Sequence, residues 1–592
     1  MVGRTTLRRV DKPDLQLAPG PKLEPEQLQR IMDDPLALDG DEGPELVPEL
    51  PIQSFVTITR KLRDEQRLDL VLPHASPEQI VGIFDLDAWQ QDRLEHARAR
   101  EWLDKIAAAY QDADAPRGAL VELLHATDVE LWILANAHAT AIAELEPGDD
   151  EQRMQVLEDM NALQTWDTPD GFFIVGVPPD EHGNMTLRVL EAVYADSMVE
   201  GRKLVSAIKW SLFSELEEDL LRWRKGRLAD LGFPSLEEAM QLLRPLGHDA
   251  VMGRDGSAPE PRRSGLSETL GAAPALRSEG KDLLRRVMEV LDDAEYDLRL
   301  REFLLLANAL MAAQRFEPGD DAMQRRAIEQ VRATLNLACE LLVAREQPED
   351  PEGFLAGRVS GVGLHKLFRY GYAPLDKLRK AALALHKAGQ VSLREIGSLL
   401  DRPWGPTLAA LARWVPELAI ESASGRSPSG ATRPLRSIAD IARATALIGE
   451  AEALARLTFA PDGYAVDPVW LARTDDPQRH VLGDLIRTAM IRKHLPGASH
   501  EFAPLGPSDL AWAKDQLPLA SLRGELEAKA AALGLAERAA ALADVIVPRL
   551  AAELSGLELD LDGKVDMTRV GGVLTIQHVG AWLTMQAGSD EG

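Results

Sequence analysis

The chain has 592 residues, of which 45% are hydrophobic and only 5% aromatic, and 95 acidic residues against 66 basic ones give a formal net charge of −29. This apolar content is enough for several folded cores, which excludes global disorder, and the surplus of negative charge opposes binding to nucleic acid or to an anionic membrane surface. Because unbranched side chains and Ala favour helices, whereas sheets prefer β-branched and aromatic residues, we expect a mainly α, multidomain protein.

The single cysteine and the apolar runs bear on the compartment. Cys339 is the one thiol of the chain, so an internal disulfide is excluded and an oxidising compartment is not implied. Its apolar helical neighbours predict a buried thiol. The longest apolar run, residues 303–313, is interrupted by Asn308 and is about half the length that a bilayer requires. We therefore expect a cytoplasmic protein without membrane insertion.

The amino-terminal half is predicted to begin with a flexible acidic arm and to continue as a helical repeat domain. Residues 1–50 are rich in Pro, Gly and acids and show a helical period only at residues 25–32, whereas residues 51–246 read as helices. A phrase with the pattern L-x-H-A-[S/T]-x-x-[Q/E]-[I/L] occurs at residues 72–80 and again at residues 123–131, each time before an apolar helical stretch. Such duplicated turn-and-helix units favour solenoid-like stacked repeats.

A short β-hairpin is expected to interrupt these helices. Apolar residues cluster at 172–177 and alternate with polar ones at 185–189, and turn signals lie before and after the first segment. We predict a hairpin insertion near 172–189 that packs on the helices, since an isolated hairpin is only marginally stable.

The rest of the chain is predicted as alternating linkers and helical domains. Composition and periodicity indicate a linker, a helical domain, a second linker, a second helical domain and a carboxyl-terminal tail with short strands. These segments are residues 247–280, 281–420, 421–436, 437–556 and 557–592.

The patterns closest to known ligand sites each lack a required residue. Residues 357–366 contain three glycines and Lys366 but not the spacing of a phosphate loop, so a flexible entry to a helix is favoured. Residues 558–569 resemble a calcium loop, yet the closing position is Arg569 rather than Glu. His74 and His125 recur in the repeated phrase, either as paired ligands or, as we favour, as turn residues. The sequence predicts no catalytic residue, metal ligand or cofactor.

The most distinctive run is residues 216–238, in which acids precede a group of cations. This order complements a helix dipole and allows pairs such as Glu218 with Arg222, which accounts for the run structurally. The alternative is a small patch that binds an anion or a partner, because Arg and Trp are enriched at binding hot spots. Its members would be Arg222, Trp223, Arg224 and Arg227.

Two phrases carry a resemblance to a known family. The run around residues 222–234, together with residues 86–94, resembles a family of large bacterial proteins of unknown function whose members carry Asp-Leu-Asp-x-Trp and Arg-Trp-Arg-x-Gly-Arg-Leu-Ala-Asp-Leu-Gly-Phe-Pro phrases. The resemblance covers roughly residues 52–420 and implies no activity. Residues 60–145 also resemble the cytoplasmic helical domain of MgtE-type magnesium transporters, which does not imply transport.

The function that these patterns favour is a non-enzymatic scaffold, adaptor or regulatory protein that binds another protein and no nucleic acid. Stacked helical repeats expose extended surfaces of the kind that such proteins use. One alternative is an enzyme whose active site is assembled from distant segments, and another is a module that responds to a divalent cation. The oligomeric state is not indicated.

Overall fold

A computed structural model describes the greater part of the chain, in two compact units. The described residues are 23, 25–90, 92–110, 119–137, 140–146, 148–253, 282–388, 400–420, 431–467, 470, 481–497, 502–558, 565–567 and 570–579. The first unit consists of Met1–Arg244, His248–Arg332 and Pro348–Arg369, and the second consists of Pro245–Gly247, Ala333–Gln347 and Tyr370–Gly592. The predicted helical domain 281–420 therefore contributes residues to both units.

Helices dominate both units, which confirms the mainly α prediction. In chain order the helices that begin before residue 400 are α1 Pro25–Asp33, α2 Gly43–Leu46, α3 Ile52–Asp64, α4 Pro77–Asp87, α5 His96–Ala109, α6 Ala119–Ala126, α7 Val129–Ala137, α8 Asp150–Asp159, α9 Glu181–Asp196, α10 Met198–Trp210, α11 Phe213–Asp230, α12 Leu236–Leu242, α13 His248–Met252, α14 Leu283–Val290, α15 Asp293–Gln314, α16 Asp321–Glu346, α17 Pro351–Val362 and α18 Leu364–Ala388. Those that follow are α19 Trp404–Leu411, α20 Ile438–Phe459, α21 Leu482–His494, α22 Pro507–Gln516, α23 Leu519–Ala532 and α24 Ala536–Gly556.

The strands form three small antiparallel sheets. They are β1 Trp89–Gln90, β2 Arg93–Leu94, β3 Ala141–Glu144, β4 Gln164–Asp167, β5 Phe173–Val177, β6 Glu417–Ala419 and β7 Thr432–Pro434. Strand β1 pairs with β2, β6 pairs with β7, and β5 lies between β3 and β4. Every residue of β5 is buried, as expected for the central strand of a sheet whose two faces are covered.

A small β-hairpin is present, because β4 pairs antiparallel with β5, but the residues predicted for its second strand are wrong. The predicted first strand exists as β5, whereas residues 185–189 belong to helix α9. The five residues from Met185 to Val189 alternate over too short a span to separate a strand from a helix. The helical period appears only when the buried residues Met185, Val189 and Val193 are taken together. Asp180 begins this helix by accepting a hydrogen bond from the Gly183 amide at 2.8 Å.

Both copies of the repeated phrase lead into a helix, but they differ before it. In the first copy, residues 72–74 form a 3₁₀ turn, and the Ser76–Gln79 capping box begins α4 with both of its hydrogen bonds. In the second copy the equivalent residues end helix α6. His74 is half-buried whereas His125 is exposed. Helix α7 packs against α5, α10 and α11, and so does not contact only its sequence neighbours as a solenoid helix would.

Three segments predicted to be irregular contain ordered structure. Residues 25–50 are not an arm, because they form α1, α2 and 3₁₀ turns and bury Leu28, Ile31 and Val47 in the first core. Helix α13 lies in the predicted linker 247–280, and strand β7 lies in the predicted linker 421–436. Leu28, Ile31 and Met32 follow the short helical period noted at residues 25–32, and they pack on the first core. Residues 1–22, 24, 254–280 and 421–430 lie outside the described residues.

The carboxyl-terminal tail is described at residues 557–558, 565–567 and 570–579. Thr575 forms a parallel bridge with Leu505, and residues 576–579 form a 3₁₀ turn. The calcium-like run 558–569 lies mostly outside the described residues. Cys339 is buried as predicted. In the part of the chain that the structure covers, the helices are too short or too polar to span a bilayer.

Candidate functional site

Helix α11 places the four predicted site residues on different faces. Leu220, Arg224 and Leu228 follow one another at intervals of four residues and form its buried side. Arg222 is exposed, and its guanidinium is 2.7 Å from the carboxylate of Asp219 one turn earlier. Trp223 is half-buried and packs against the apolar core. The four residues therefore do not form one continuous surface.

Arg227 bridges two buried carboxylates, those of Asp85 and Asp128. Each belongs to one copy of the unit formed by the repeated phrase and the helix that follows it. Its Nε and Nη2 donate to Asp85 Oδ2 and Oδ1 at 2.5 and 2.9 Å, and its Nη1 lies 2.9 Å from Asp128 Oδ2. Asp85 lies in α4, whereas Asp128 directly precedes α7. The planar fork of Arg suits this two-sided contact, which the single ammonium of Lys could not make.

Arg224 completes the contact between α4 and α11. Its Nε donates to the backbone oxygen of Asp85 at 2.8 Å, and its guanidinium carbon lies 5.2 Å from the centre of the Trp89 ring. Arg224 is only 4% exposed, so this guanidinium serves the interior of the first unit. A cation over an indole ring in a dry environment adds to the stability of such a contact.

Burial and pairing shift the pKa values of this cluster in opposite ways. Burial raises the pKa of Asp85, and the hydrogen bonds from Arg227 offset only part of that effect. Burial alone would lower the pKa of Arg227, but Asp85 and Asp128 outweigh it and raise the pKa. Burial lowers the pKa of Arg224. Arg227 is therefore firmly charged, and its charge helps to stabilise the two buried carboxylates.

Residues 85–94 and 216–238 thus contact each other. Besides the Asp85–Arg227 pair, Lys225 Nζ lies 3.2 Å from Asp92 Oδ2, and Glu217 accepts a hydrogen bond from the Leu94 amide at 3.1 Å. Sequence reasoning noted both phrases separately and missed the role of Asp85. The sequence signal that could have revealed this role was Asp85 itself, an acidic residue among apolar positions of a helix, because a buried carboxylate needs a partner.

Asp87, two residues after Asp85, ties α4 to α3 and α5. It accepts a hydrogen bond from Arg60 Nε at 2.7 Å and another from Trp102 Nε1 at 2.7 Å. Because a helix turns by about 100° per residue, carboxylates two positions apart point in different directions. The Asp-Leu-Asp-x-Trp phrase therefore joins α4 to helices on two sides.

The space beside this cluster does not suit a metabolite. A cavity of about 10 Å³ opens next to Asp85, Thr127, Asp128 and Arg227, which is room for about one water molecule. A second cavity of about 110 Å³ lies beside the three-stranded sheet, with Arg153 and Asp167 on its wall. Both are well below the ~300 Å³ of typical ligand pockets. Among the residues that the structure describes, His, Cys, Asp and Glu do not gather in a group that could hold a metal ion.

The second unit has a buried ionic cluster of its own, centred on Arg487. This guanidinium contacts Asp401 at 3.3 Å, also pairs with Asp484, and donates from Nε to the Gly572 carbonyl at 2.7 Å. Arg549 adds a second cation 3.0 Å from Asp401. The charges of the two carboxylates and the two guanidinium groups balance each other. We therefore interpret this cluster as structural, with Arg487 holding the carboxyl-terminal segment through the Gly572 carbonyl.

The most unusual surface of the first unit is the corner where α10 ends and α11 begins. Trp210 is 67% exposed and Leu212 is 63% exposed, although both are large apolar side chains. Lys209 Nζ lies 4.7 Å from the centre of the Trp210 ring. We call Trp210, Leu212 and the adjacent exposed face of α11, which includes Glu215, Glu218 and Arg222, the α10–α11 corner. Apolar groups left in water at neighbouring positions are typical of a surface that a partner covers.

Comparison with known proteins identifies a family and nothing further. The model of a family of unknown function (DUF6178) matches residues 28–564. The curated proteins contain no match to the chain, and the solved structures contain none either.

Proposed function

The chain belongs to the family of unknown function DUF6178, and because that membership brings no activity with it, we propose from its geometry that it is a non-enzymatic protein-binding module. The partner docks on the α10–α11 corner. The observation that carries this proposal is the exposure of Trp210 and Leu212, two large apolar side chains separated by one residue.

Covering this corner would release substantial free energy. Burying the exposed part of one indole side chain contributes about 3 kcal/mol by area. Trp is also the residue most enriched among hot spots in protein interfaces. Trp210 is therefore the expected anchor, and Leu212 is expected to widen the apolar contact.

The corner lies on a rigid platform, which reduces the entropy cost of binding. Helix α10 buries Leu204, Val205 and Ile208, and its Gly201 lies directly against the ring of Tyr194 on α9. Helix α11 is held by the contacts of Arg224 and Arg227 with Asp85. In this proposal the two family phrases hold the docking surface in place rather than form a reactive site.

Catalysis is less well supported than binding. Two cavities of the first unit, of about 10 and 110 Å³, are too small to enclose a typical metabolite. The titratable groups of the Asp85 cluster are buried against one another and do not face a substrate-sized space.

Affinity recovery from the native cell tests the proposal. The intact protein, a Trp210→Gln/Leu212→Gln variant and a Met154→Gln/Val290→Gln variant serve as baits, and the recovered proteins are quantified by mass spectrometry. Met154 and Val290 are 57% and 55% exposed in the same unit, so the third bait controls for loss of any exposed apolar pair.

We expect at least one protein that is enriched by the intact and control baits and whose recovery falls about tenfold with the corner variant. The purified partner should then bind the intact protein directly. Equal recovery of every protein by all three baits would contradict the proposal.

A further inference from the structure

The charges beside Trp210 and Leu212 define the chemistry of the partner. Resting on the proposed function, we infer that the docking partner presents a cationic amphipathic segment, in which apolar side chains meet Trp210 and Leu212 while Lys or Arg side chains meet the acidic start of α11. The adjoining positions Glu215 and Glu218 are both exposed.

Helical spacing aligns these acids with the apolar anchor. Leu212, Glu215, Glu218 and Arg222 follow one another at intervals of three or four residues, which places them along one stripe of α11. Asp219 lies next to this stripe and is ion-paired with Arg222 at 2.7 Å. Because Asp219 pairs with Arg222, the carboxylates of Glu215 and Glu218 give the stripe a net negative charge.

The helix dipole explains only part of this acidity. A carboxylate in the first turn of a helix is stabilised by the helix amino terminus, which accounts for Glu215. Glu218 lies a turn further on, where that effect has largely faded. The nearby cation Lys209 does not cancel the charge of the stripe, because its Nζ lies 3.5 Å from a carboxylate oxygen of Glu144.

Charge also argues against other occupants of the corner. A second copy would bring the same acidic stripe and another net charge of −29, so self-association through this face opposes Coulomb repulsion. An anionic membrane is repelled in the same way. A cationic segment of another protein gains from both the stripe and the long-range field of the chain.

A peptide titration with the full-length protein tests this inference. The probe is a fluorescein-labelled amphipathic peptide of about 18 residues, long enough to form a helix, with a Leu and Phe face flanked by Lys. Its matched counterpart carries Glu at every Lys position. Anisotropy is measured with the intact protein, with Glu215→Lys/Glu218→Lys and with Glu151→Lys/Glu158→Lys. Glu151 and Glu158 are exposed on α8, so the last variant makes the same change in net charge elsewhere.

We expect the cationic peptide to bind the intact protein and the α8 variant alike, and to bind the Glu215→Lys/Glu218→Lys variant about tenfold more weakly at low salt. This difference should largely disappear at about 0.5 M salt, where exposed charges are screened. The acidic peptide should bind neither the intact protein nor the α8 variant. Equal weakening by both charge reversals would mean attraction to net charge alone, and would overturn the inference.

The same variants separate this inference from the proposed function. Partner recovery that falls with Trp210→Gln/Leu212→Gln but not with Glu215→Lys/Glu218→Lys would keep the docking corner and reject a cationic partner. Binding of vesicles made only of zwitterionic lipid, lost with Trp210→Gln/Leu212→Gln, would reject both. Sedimentation that shows concentration-dependent dimers of the intact protein, lost in the same variant, would assign the corner to a second copy and also reject both.

Discussion

Arg227 on α11 holds the carboxylate of Asp85 on α4 with two hydrogen bonds, although the two residues lie 142 positions apart in the chain. The same guanidinium reaches Asp128 ahead of α7. One side chain therefore joins three helical segments at the centre of the first unit. Because the carboxylates are buried, the charge of Arg227 contributes strongly to their compensation.

Replacing Arg227 by Met should destabilise the first unit by about 3 kcal/mol, since it leaves two buried carboxylates without their shared cation. Urea unfolding followed by near-ultraviolet circular dichroism measures the loss. Arg222→Met is the matched control on the same helix. Its exposed ion pair with Asp219 should contribute no more than about 0.5 kcal/mol. Similar losses in the two variants would contradict the bridging role of Arg227.

Asp170, in the loop after β4, should make the free energy of unfolding depend on pH. Its carboxylate accepts hydrogen bonds from Arg202 Nε at 2.8 Å, from Thr168 Oγ1 at 2.7 Å and from the Phe172 amide at 3.2 Å. Burial alone would raise the pKa of Asp170, but these bonds outweigh it and lower the pKa below the ordinary 3.8. The stabilisation is therefore complete above the ordinary pKa and is lost as the pH falls through the lowered one.

Asp170→Asn should accordingly cost about 1–2 kcal/mol at neutral pH. The difference from the intact protein should begin to shrink only as the pH falls below the ordinary 3.8 and should disappear below the lowered pKa, because protonation then removes the same interactions from the intact protein. Urea midpoints across this range provide the test. Glu191→Gln, at an exposed position of α9, is the control and should change little. A difference that is constant over the whole pH range would rule out the carboxylate as its source.

Two glycines inside neighbouring helices should respond to Ala in opposite directions. A Cβ at Gly201 would lie 2.4 Å from Cδ2 of Tyr194, whereas a Cβ at Gly226 would have open space around it. Gly201→Ala should therefore cost about 1–3 kcal/mol through overpacking. Gly226→Ala should gain about 0.5–1 kcal/mol, since Ala restricts the unfolded chain and favours a helix. Thermal melts of the two variants check both signs, and equal shifts would be inconsistent with the close packing of α9 on α10.

Much of the fold follows from local rules, and the departures have a common physical cause. The capping box at Ser76, within the repeated phrase, needs only a hydroxyl and an amide three residues apart, which interact locally. The predictions that failed at Met185–Val189 and at residues 25–50 concern segments whose state is decided by distant packing partners. A pattern of five residues, or a single short helical period such as that at residues 25–32, does not show what the segment packs against.

The candidate site shows the same division between local and distant effects. The sequence singled out Arg222, Trp223, Arg224 and Arg227 as a group, but the helical period turns Arg224 inward and leaves Arg222 in solvent. Asp85, the partner of Arg224 and Arg227, lies in another phrase, so the contact could not be read from spacing. The exposed anchor Trp210 was not predicted either, because a Trp at the end of a helix usually indicates burial.

The most direct test of the docking corner is the oxidation of Trp210 by hydroxyl radicals, free and in complex with the recovered partner. The peptide that contains Trp210 is quantified by mass spectrometry, and Trp414, which is 45% exposed in the second unit, serves as the internal reference. We predict that Trp210 is oxidised readily in the free protein and about tenfold more slowly in the complex, with little change at Trp414. Equal oxidation rates of Trp210 in the two states would contradict the account.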